Sequence, residues 1–385
     1  MQDSAPEYTF LADSFELPPQ QTRLQEFWNQ LRKNPLALMG LVIFLVFLVI
    51  ALTGRLLTFG TSPLLDPSMV RLQEKLRPPL SRPNMESLLP EEMPPMGAYL
   101  LGTDELGRDV FARMLQGAWV SLSVGFVAVG IAVFIGILLG GLAGYYGQNP
   151  IRVGEVFIAV LVIWLALGWG KLSTLILVVL ALAAIAIAVV LVVQRDSDSR
   201  GLLHVFSAEF LSVDMVITGL IDIMLCFPSF FLILTVVALL PASIYNIMIV
   251  IGITSWMGAA RFVRAEFLSL REQDFVAAAR ALGISDWRII FRHMVPNAIA
   301  PVLVSATIGI AGAILTEAGL SFLGFGVPPP DATWGNILSD GKNYLFDAPW
   351  LTFIPGIAIL IVVLSFNLFG EGLRDILNPK LRERH

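Results

Sequence analysis

The sequence predicts an all-α protein that crosses a membrane several times, and three observations support this fold class. Hydrophobic residues form 56% of the 385 residues and charged residues only 14%, whereas soluble domains carry roughly 45–50% and about 25%. Several apolar runs approach the ~20 residues that a helix needs to cross the hydrocarbon core. The lysines and arginines concentrate between alternate runs, as the positive-inside rule requires of cytoplasmic loops. We therefore expect about eight membrane spans.

Residues 1–34 predict a cytoplasmic N-terminal tail. They are polar and contain prolines, and they lack the basic head and early apolar core of a secretory signal. Residues 22–33 place apolar side chains on one face, which is typical of a helix lying on the membrane surface. The uncharged run at 35–54 predicts the first transmembrane span.

Residues 55–117 predict a long, proline-rich and irregular extracytoplasmic loop. Near its end, Gly102 and Gly107 have the spacing of a nucleotide phosphate loop. Arginine and aspartate follow them, however, where such a loop needs lysine and then serine or threonine. We therefore do not expect this segment to bind a nucleotide. We expect instead that Thr103 caps a helix leading into the next span.

Residues 118–150 predict the second span, and residues 151–213 predict an inserted hydrophobic hairpin with a polar loop. The glycines of GILLGGLAG (136–144) have the small-xxx-small spacing of helix–helix contacts. Within the insertion, the run at 156–170 reaches only about 22 Å as a helix, and the run at 172–194 is a clean span. Because a hairpin returns the chain to its starting side, the insertion leaves the sidedness of the other spans unchanged.

Residues 214–370 predict the rest of the membrane core, followed by a cytoplasmic tail at 371–385. The further spans are expected at about 215–240, 246–260, 298–318 and 350–370. Most basic residues fall on the cytoplasmic side if the N-terminus is placed inside, and the arginine-rich segment 261–297 is the clearest case. Both termini and segment 261–297 are therefore expected to face the cytoplasm.

Within that segment, DFVAAARALGISDWRIIFRHMVPN (274–297) predicts two short helices separated by a turn. Gly283 suits the left-handed residue that ends a helix, and Ser285 is expected to cap the second helix. The first helix is expected to group four residues on one face: Phe275, Ala278, Ala279 and Leu282. From these residues alone, a loop attracted to anionic lipid and a docking site for another protein both stay open.

The same stretch resembles the EAA loop of binding-protein-dependent ABC importer permeases. The resemblance is carried by Ala278, Ala279, Gly283, Val295 and Pro296, with Ala277 where the family has glutamate. Other stretches are similar to the dipeptide/oligopeptide branch of that family: NPLALMGLVIF, LLGTDELGRDVFARMLQGAWVSLSVG, DIMLCFPSFFL and ILTEAGLSFLGFGVPPPDATWGNIL. The resemblance covers most of 30–150 and 214–382, and the 151–213 insertion has no counterpart in it.

The resemblance implies a six-span type I importer core with the hairpin added, in the cytoplasmic membrane of a bacterium or archaeon. It implies a transport subunit for peptides or similar small solutes rather than an enzyme. It also implies three partners: a second homologous permease, cytoplasmic ATP-binding subunits and an extracytoplasmic substrate-binding protein. The implied ATPase-coupling residues are Ala278, Ala279, Gly283, Arg288 and Pro296. We expect no cofactor, no metal and no nucleic-acid partner.

Two acids in apolar runs, Asp222 and Glu317, are candidates for structural roles or for the transport pathway; we expect packing or folding roles. An ion-coupled secondary transporter is the alternative function, and it would favour inverted repeats and midplane charge, which the sequence does not show. An intramembrane enzyme would need a nucleophile beside a base or clustered metal ligands. The histidines are too scattered for either, and the single cysteine precludes an intrachain disulfide.

Overall fold

The structure, a computed structural model, describes residues 23–60, 63–86, 88–147, 150–152 and 209–377. Its first helices are α1 (Arg23–Lys33), α2 (Pro35–Thr58), α3 (Val110–Tyr145), α4 (Val213–Leu225), α5 (Ser229–Leu239), α6 (Ile244–Thr254) and α7 (Trp256–Arg271). The later ones are α8 (Asp274–Ala281), α9 (Asp286–Arg288), a π-helical turn (Ile289–Met294), α10 (Val295–Phe322), α11 (Trp334–Gly341) and α12 (Trp350–Leu377). Short 3₁₀ turns occur at Leu72–Glu74, Pro90–Glu92 and Lys342–Tyr344.

In the described part of the chain, five helical stretches are long and apolar enough to cross a membrane. They are α2, α3, Ile244–Arg271, Asp286–Phe322 and α12. The pair α4 and α5 makes a sixth if it counts as one span. Both hydrophobic runs expected at 156–194 lie outside the described residues, so the prediction of eight spans is tested only for the other six.

The α4–α5 pair corrects the prediction of one continuous span at 215–240. The two helices are bent by 82° at their junction. Pro228 stands at this junction; it has no N–H to donate and disfavours helical geometry in the residue before it. The apolar run is therefore long enough to span a membrane, but its proline divides it into two helices.

The helix starts follow local capping chemistry. The Asn34 side chain accepts a hydrogen bond from the Ala37 amide at 3.2 Å at the start of α2. The Asp109 side chain accepts one from the Phe111 amide at 2.9 Å at the start of α3. The prediction that Thr103 is the cap is therefore wrong: this residue is buried, and its hydroxyl donates to the Glu74 carbonyl at 2.5 Å.

Helix α3 is the centre of the bundle and packs against α2, α6, α7 and α10. Its contact with α7 depends on glycine, as the small-xxx-small spacing predicts. A Cβ at Gly136 would lie 2.6 Å from the Ala259 Cβ, and one at Gly140 would overlap the Ala260 carbonyl oxygen. The backbones of α3 and α7 therefore approach too closely for any larger residue at these positions.

The irregular loop expected at 55–117 is shorter in the structure and covers 59–109, because α2 ends at Thr58 and α3 begins at Val110. Buried polar contacts give it a defined shape. Glu74 is fully buried, and its carboxylate accepts hydrogen bonds from the Asn84 amide at 2.9 Å and from Arg77 Nε at 3.0 Å. Asp104, also fully buried, accepts from Arg108 Nε at 2.7 Å. Asp104 also accepts from Arg113 Nη1 of α3 at 2.5 Å, which anchors the loop to the start of that helix.

A short antiparallel strand pair adds to the otherwise helical architecture. Strands β1 (Pro150–Arg152) and β2 (Glu209–Ser212) pair in register Pro150 with Ser212 and Ile151 with Leu211. Residues 153–208, which hold most of the predicted insertion, lie outside the described residues. The pairing shows that the chain leaves and re-enters the described bundle at neighbouring points.

Candidate functional site

The loop helix pair, defined as residues 274–294, lies at one end of the bundle between α7 and α10. Its first helix, α8, ends in a left-handed turn at Gly283, whose φ is +71°. The Ile284 amide bonds the Ala279 carbonyl at 3.1 Å, and the Gly283 amide bonds the Arg280 carbonyl at 2.9 Å. These two bonds form a Schellman motif. The sequence prediction of a glycine turn is confirmed.

The second helix differs from its prediction. Ser285 occupies the cap position of α9, but its side chain makes no capping hydrogen bond. The helix also does not end before the next span, because the π-helical turn joins α9 to α10 and gives one helical stretch from Asp286 to Phe322. Pro296 therefore lies inside this stretch, in the first turn of α10, where it cannot donate a backbone hydrogen bond to the preceding turn.

One face of the loop helix pair is packed against the bundle. Val276 and Ala279 of α8 are buried, three residues apart. They join an apolar cluster with Tyr145, Val263, Phe267, Ile289, Ile290, Met294, Ala298 and Val302. This cluster links the loop to α3, α7 and α10, so the loop helix pair is seated on three helices.

The opposite face is apolar and exposed. Leu282 is 79% exposed and Trp287 is 65% exposed. The Trp287 and Phe291 rings lie 4.1 Å apart between centroids, and Phe275 is also exposed. The prediction that Phe275, Ala278, Ala279 and Leu282 share one face is wrong in one respect, because Ala279 is buried while the other three are exposed.

The predicted coupling residues divide between the two faces. Ala278, Gly283, Arg288 and Pro296 are exposed, and Ala279 is buried. The exposed side therefore combines apolar side chains with arginine, whereas the buried side sets how closely α8 approaches α7 and the π-helical turn.

A polar cluster that the sequence did not predict joins the loop helix pair to the end of α3. The Tyr145 hydroxyl donates to Asp286 Oδ1 at 2.6 Å, and the Tyr146 hydroxyl donates to Asp286 Oδ2 at 3.2 Å. The Arg280 guanidinium carbon lies 4.8 Å from the centroid of the Tyr145 ring. Burial, followed by the charge of Asp286, raises the pKa of Tyr146, which keeps its hydroxyl protonated and able to donate.

The sequence contains one signal for this cluster, the adjacent tyrosines Tyr145 and Tyr146 near the end of GGLAGYYG. These residues read equally well as interface anchors. Nothing local indicates that a carboxylate 141 positions away receives the Tyr145 hydroxyl.

The two candidate acids both have protein partners. Asp222 of α4 forms an exposed ion pair with Arg261 of α7 at 2.9 Å, beside a second pair between Asp214 and Arg264. These pairs tie α4 to α7.

Glu317 of α10 is fully buried. Its carboxylate accepts hydrogen bonds from the Ser321 hydroxyl at 2.6 Å and from the Ser121 hydroxyl of α3 at 3.4 Å. Ser121 in turn accepts from the Trp334 amide of α11 at 3.3 Å. The acid therefore lies where α3, α10 and α11 meet.

Among the described residues, no group of three or more histidine, cysteine, aspartate or glutamate side chains has the geometry to hold a metal ion. The described feature of this end of the bundle is the loop helix pair itself. It consists of a rigid helical turn, an apolar exposed face and a carboxylate that ties the loop to a neighbouring span.

Sequence comparison gives the class and the family of this helical membrane bundle. Residues 205–383 match the family described as binding-protein-dependent transport system inner membrane component. Residues 22–79 match the N-terminal TM domain of oligopeptide transport permease C. The chain is 36% identical to the dipeptide transport system permease protein DppC of Alkalihalophilus pseudofirmus, over 93% of this chain and 90% of that protein. The chain therefore belongs to the binding-protein-dependent transport permeases, and the resemblance seen in the sequence is confirmed.

More distant relatives have similar names. The oligopeptide transport system permease protein OppC of Bacillus subtilis is 30% identical over 91% of this chain and 88% of that protein. The inward-facing MetNI methionine ABC transporter matches with a TM-score of 0.43 and 15% identity, over 70% of this chain and 98% of that chain. Because it belongs to the permease family, the chain is a multi-pass inner-membrane transport subunit rather than an enzyme, and the alternative of an ion-coupled secondary transporter is wrong.

Proposed function

We propose that this chain is a transmembrane permease subunit of an ATP-driven importer for di- or oligopeptides, or for similar small solutes. The observation that carries the proposal is the exposed apolar face of the loop helix pair, on a chain whose relatives are named as peptide transport permeases. The loop helix pair would be the part of the chain to which a cytoplasmic ATP-binding subunit binds.

The exposed face suits a protein groove. Burying a large apolar side chain contributes about 1.5–3 kcal/mol, and Leu282 and Trp287 are both largely exposed. The Schellman turn fixes the backbone between the two short helices, so little backbone entropy is lost on docking. The arginines beside them, Arg288 and Arg292, add positive charge for acidic groups of a partner.

The proposed assembly has two permeases, ATP-binding subunits on the cytoplasmic side and a substrate-binding protein on the opposite side. Both termini of this chain would face the cytoplasm with the loop helix pair. ATP chemistry would belong to the partners, since GTDELGRD (102–109) lacks the lysine and hydroxyl residues of a phosphate loop. Membrane lipid would surround the spans of this assembly.

We propose that the inserted hairpin at 151–213 lies at the periphery of this assembly. The pairing of β1 with β2 supports this placement, because it brings the two ends of the insertion together at one point of the bundle. Removing 153–208 and joining these strands by a short turn should then leave partner assembly intact. Loss of all partner subunits in that deletion would contradict a peripheral position.

Co-purification tests the docking proposal. The tagged chain is solubilised from its native membrane in mild detergent, and bound proteins are identified by mass spectrometry. We expect ATP-binding subunits with a phosphate-loop sequence. Leu282→Asp and Trp287→Asp should each remove them, because a charge would have to be buried in an apolar groove.

Leu72→Asp is the matched control, since Leu72 in the 59–109 loop is as exposed as Trp287, at 65%. It should retain the ATP-binding subunits. A photo-crosslinking residue at position 282 gives an independent result. If it labels only lipid in the intact membrane, the loop binds the bilayer surface and the proposed docking is wrong.

A further inference from the structure

Asp286 is the one residue of the second loop helix that reaches the end of α3 by hydrogen bonds among the described residues. Its two carboxylate oxygens accept from two adjacent residues, Tyr145 at 2.6 Å and Tyr146 at 3.2 Å. The two tyrosine rings are themselves in edge-to-face contact, with centroids 4.8 Å apart. The carboxylate is therefore held from two directions rather than by a single flexible contact.

Arg280 brings the first loop helix to the same place. Its guanidinium lies over the Tyr145 ring, so Tyr145 contacts α8 through its ring face and α9 through its hydroxyl. A cation over an aromatic face and a charge-assisted hydrogen bond are both orientation-dependent. Together with the apolar packing around Tyr145, they constrain the angle between the loop helix pair and α3.

The loop helix pair is joined covalently to α7 and α10, not to α3. The loop helix pair continues into α10 through the π-helical turn, and it follows α7 after a break of two residues, Glu272 and Gln273. Its connection to α3 is made only through side chains. Helix α3 also packs closely on α7 through its glycines. A displacement of the end of α3 would therefore act on the central helices of the bundle.

We propose that Asp286, Tyr145 and Tyr146 form a positioning cluster that couples movement of the loop helix pair to α3. The inference rests on the proposed function, because it assumes that an ATP-binding subunit moves the loop. With the cluster intact, the loop and α3 move together. Without it, the loop still docks and stays joined to α7 and α10, but less of its displacement reaches α3.

The test uses the complete complex: this chain, the second permease, the ATP-binding subunits and the purified cognate binding protein, in lipid nanodiscs. ATP hydrolysis is measured without and with the binding protein, and their ratio reports communication across the membrane. The variants are Asp286→Asn, which removes the charge, and Tyr145→Phe with Tyr146→Phe, which removes both hydroxyls while keeping the rings.

We expect both variants to retain the ATP-binding subunits and to lower the ratio by about twofold to thirtyfold, the range typical of coupling residues. Combining all three substitutions should lower it little further, because the residues act as one unit. Asp375→Asn and Tyr245→Phe are the controls. Both residues are exposed, and both substitutions should leave the ratio unchanged.

The outcomes separate the two proposals. If the wild-type chain brings down no ATP-binding subunit, the proposed function fails. If the complex assembles and the ratio is the same in wild type, Asp286→Asn and the double tyrosine variant, the positioning cluster is refuted while the proposed function stands. The cluster is also refuted if the wild-type complex assembles but its ATP hydrolysis does not respond to the binding protein. In that case no signal passes from the binding protein to the ATP-binding subunits for the cluster to transmit.

Discussion

Arg113 at the start of α3 and Asp340 of α11 form an ion pair, with Nη1 and Oδ2 separated by 2.9 Å. The same guanidinium contacts the fully buried carboxylate of Asp104, and Arg108 bridges the two acids from the other side. Two arginines and two aspartates thus balance in charge. The network joins the 59–109 loop, α3 and α11 at the end of the bundle opposite the loop helix pair.

Arg113→Gln is therefore expected to destabilise the protein. It leaves the buried Asp104 with Arg108 as its only cation among the described residues. Breaking a buried ion pair from one side typically costs about 3–5 kcal/mol, and the remaining arginine should keep the loss near the lower value. Thermal unfolding in detergent measures it. Arg82→Gln, at an exposed position of the same loop, should unfold like wild type, and equal midpoints for both variants would contradict a structural role for the network.

Two glycines of α3 make a matched pair for the packing of α3 on α7. Gly140→Ala should destabilise the protein by about 1–3 kcal/mol, because the added methyl group meets the Ala260 carbonyl and forces the backbones apart. Gly130→Ala meets nothing within 4 Å. It should stabilise the helix by roughly 0.5–1 kcal/mol. Unfolding midpoints of the two variants should therefore shift in opposite directions; a shift of the same sign would mean that α3 does not pack on α7 in this way.

Tyr99 in the 59–109 loop offers a test at high pH. Its side chain is fully buried and its hydroxyl has no hydrogen-bond partner among the described residues. Tyr99→Phe should therefore leave stability unchanged at neutral pH or raise it by about 1 kcal/mol. Burial raises the pKa of Tyr99 to about 12 from 10.0.

The sign of the pH effect follows from that difference. Because the unfolded phenol loses its proton near pH 10 and the folded one only near pH 12, unfolding releases a proton between these values. Stability is thus kept below pH 10 and falls as the pH rises toward 12. Wild type should lose more thermal stability than Tyr99→Phe between pH 8 and pH 11. Parallel losses in both proteins would show that Tyr99 is not buried.

Substitutions at Glu317 distinguish a structural role of this residue from a place in the transport pathway. Glu317→Ala should cost about 1–3 kcal/mol, because it leaves the buried Ser321 hydroxyl without its acceptor. Glu317→Gln keeps an oxygen acceptor at the same position and should be close to wild type in stability. It should also keep the response of ATP hydrolysis to the binding protein. A glutamine variant that is stable but has lost this response would place Glu317 in the transport pathway instead.

The sequence alone predicted features that depend on short segments. The apolar runs predicted the spans that the structure describes, because crossing a membrane depends on length and hydropathy. Gly283 predicted its own left-handed turn, because this conformation is costly for residues with a Cβ. The glycines at 136–144 predicted a close helix contact, although not that α7 is the partner.

Other features needed the tertiary structure. The cap of α3 was assigned to Thr103, since a threonine before a helix is a sound local choice, but its hydroxyl is committed to the distant Glu74 carbonyl. Pro228 itself is a local signal for the division between α4 and α5, but the continuous hydropathy of 215–240 favours a single span. The exposure of Leu282 beside the burial of Ala279 depends on where α7 and the π-helical turn lie.

Membrane class, family and the outline of the loop helix pair were thus determined by the sequence, because hydropathy, spacing and glycine geometry act over one or two turns of chain. The partners of Asp286 and Arg113 were decided only by the fold. Tyr145 is 141 positions from Asp286, and Arg113 is 227 positions from Asp340. No local pattern specifies such pairs, since they form only when packed helices bring opposite charges and hydroxyl groups to the same end of the bundle.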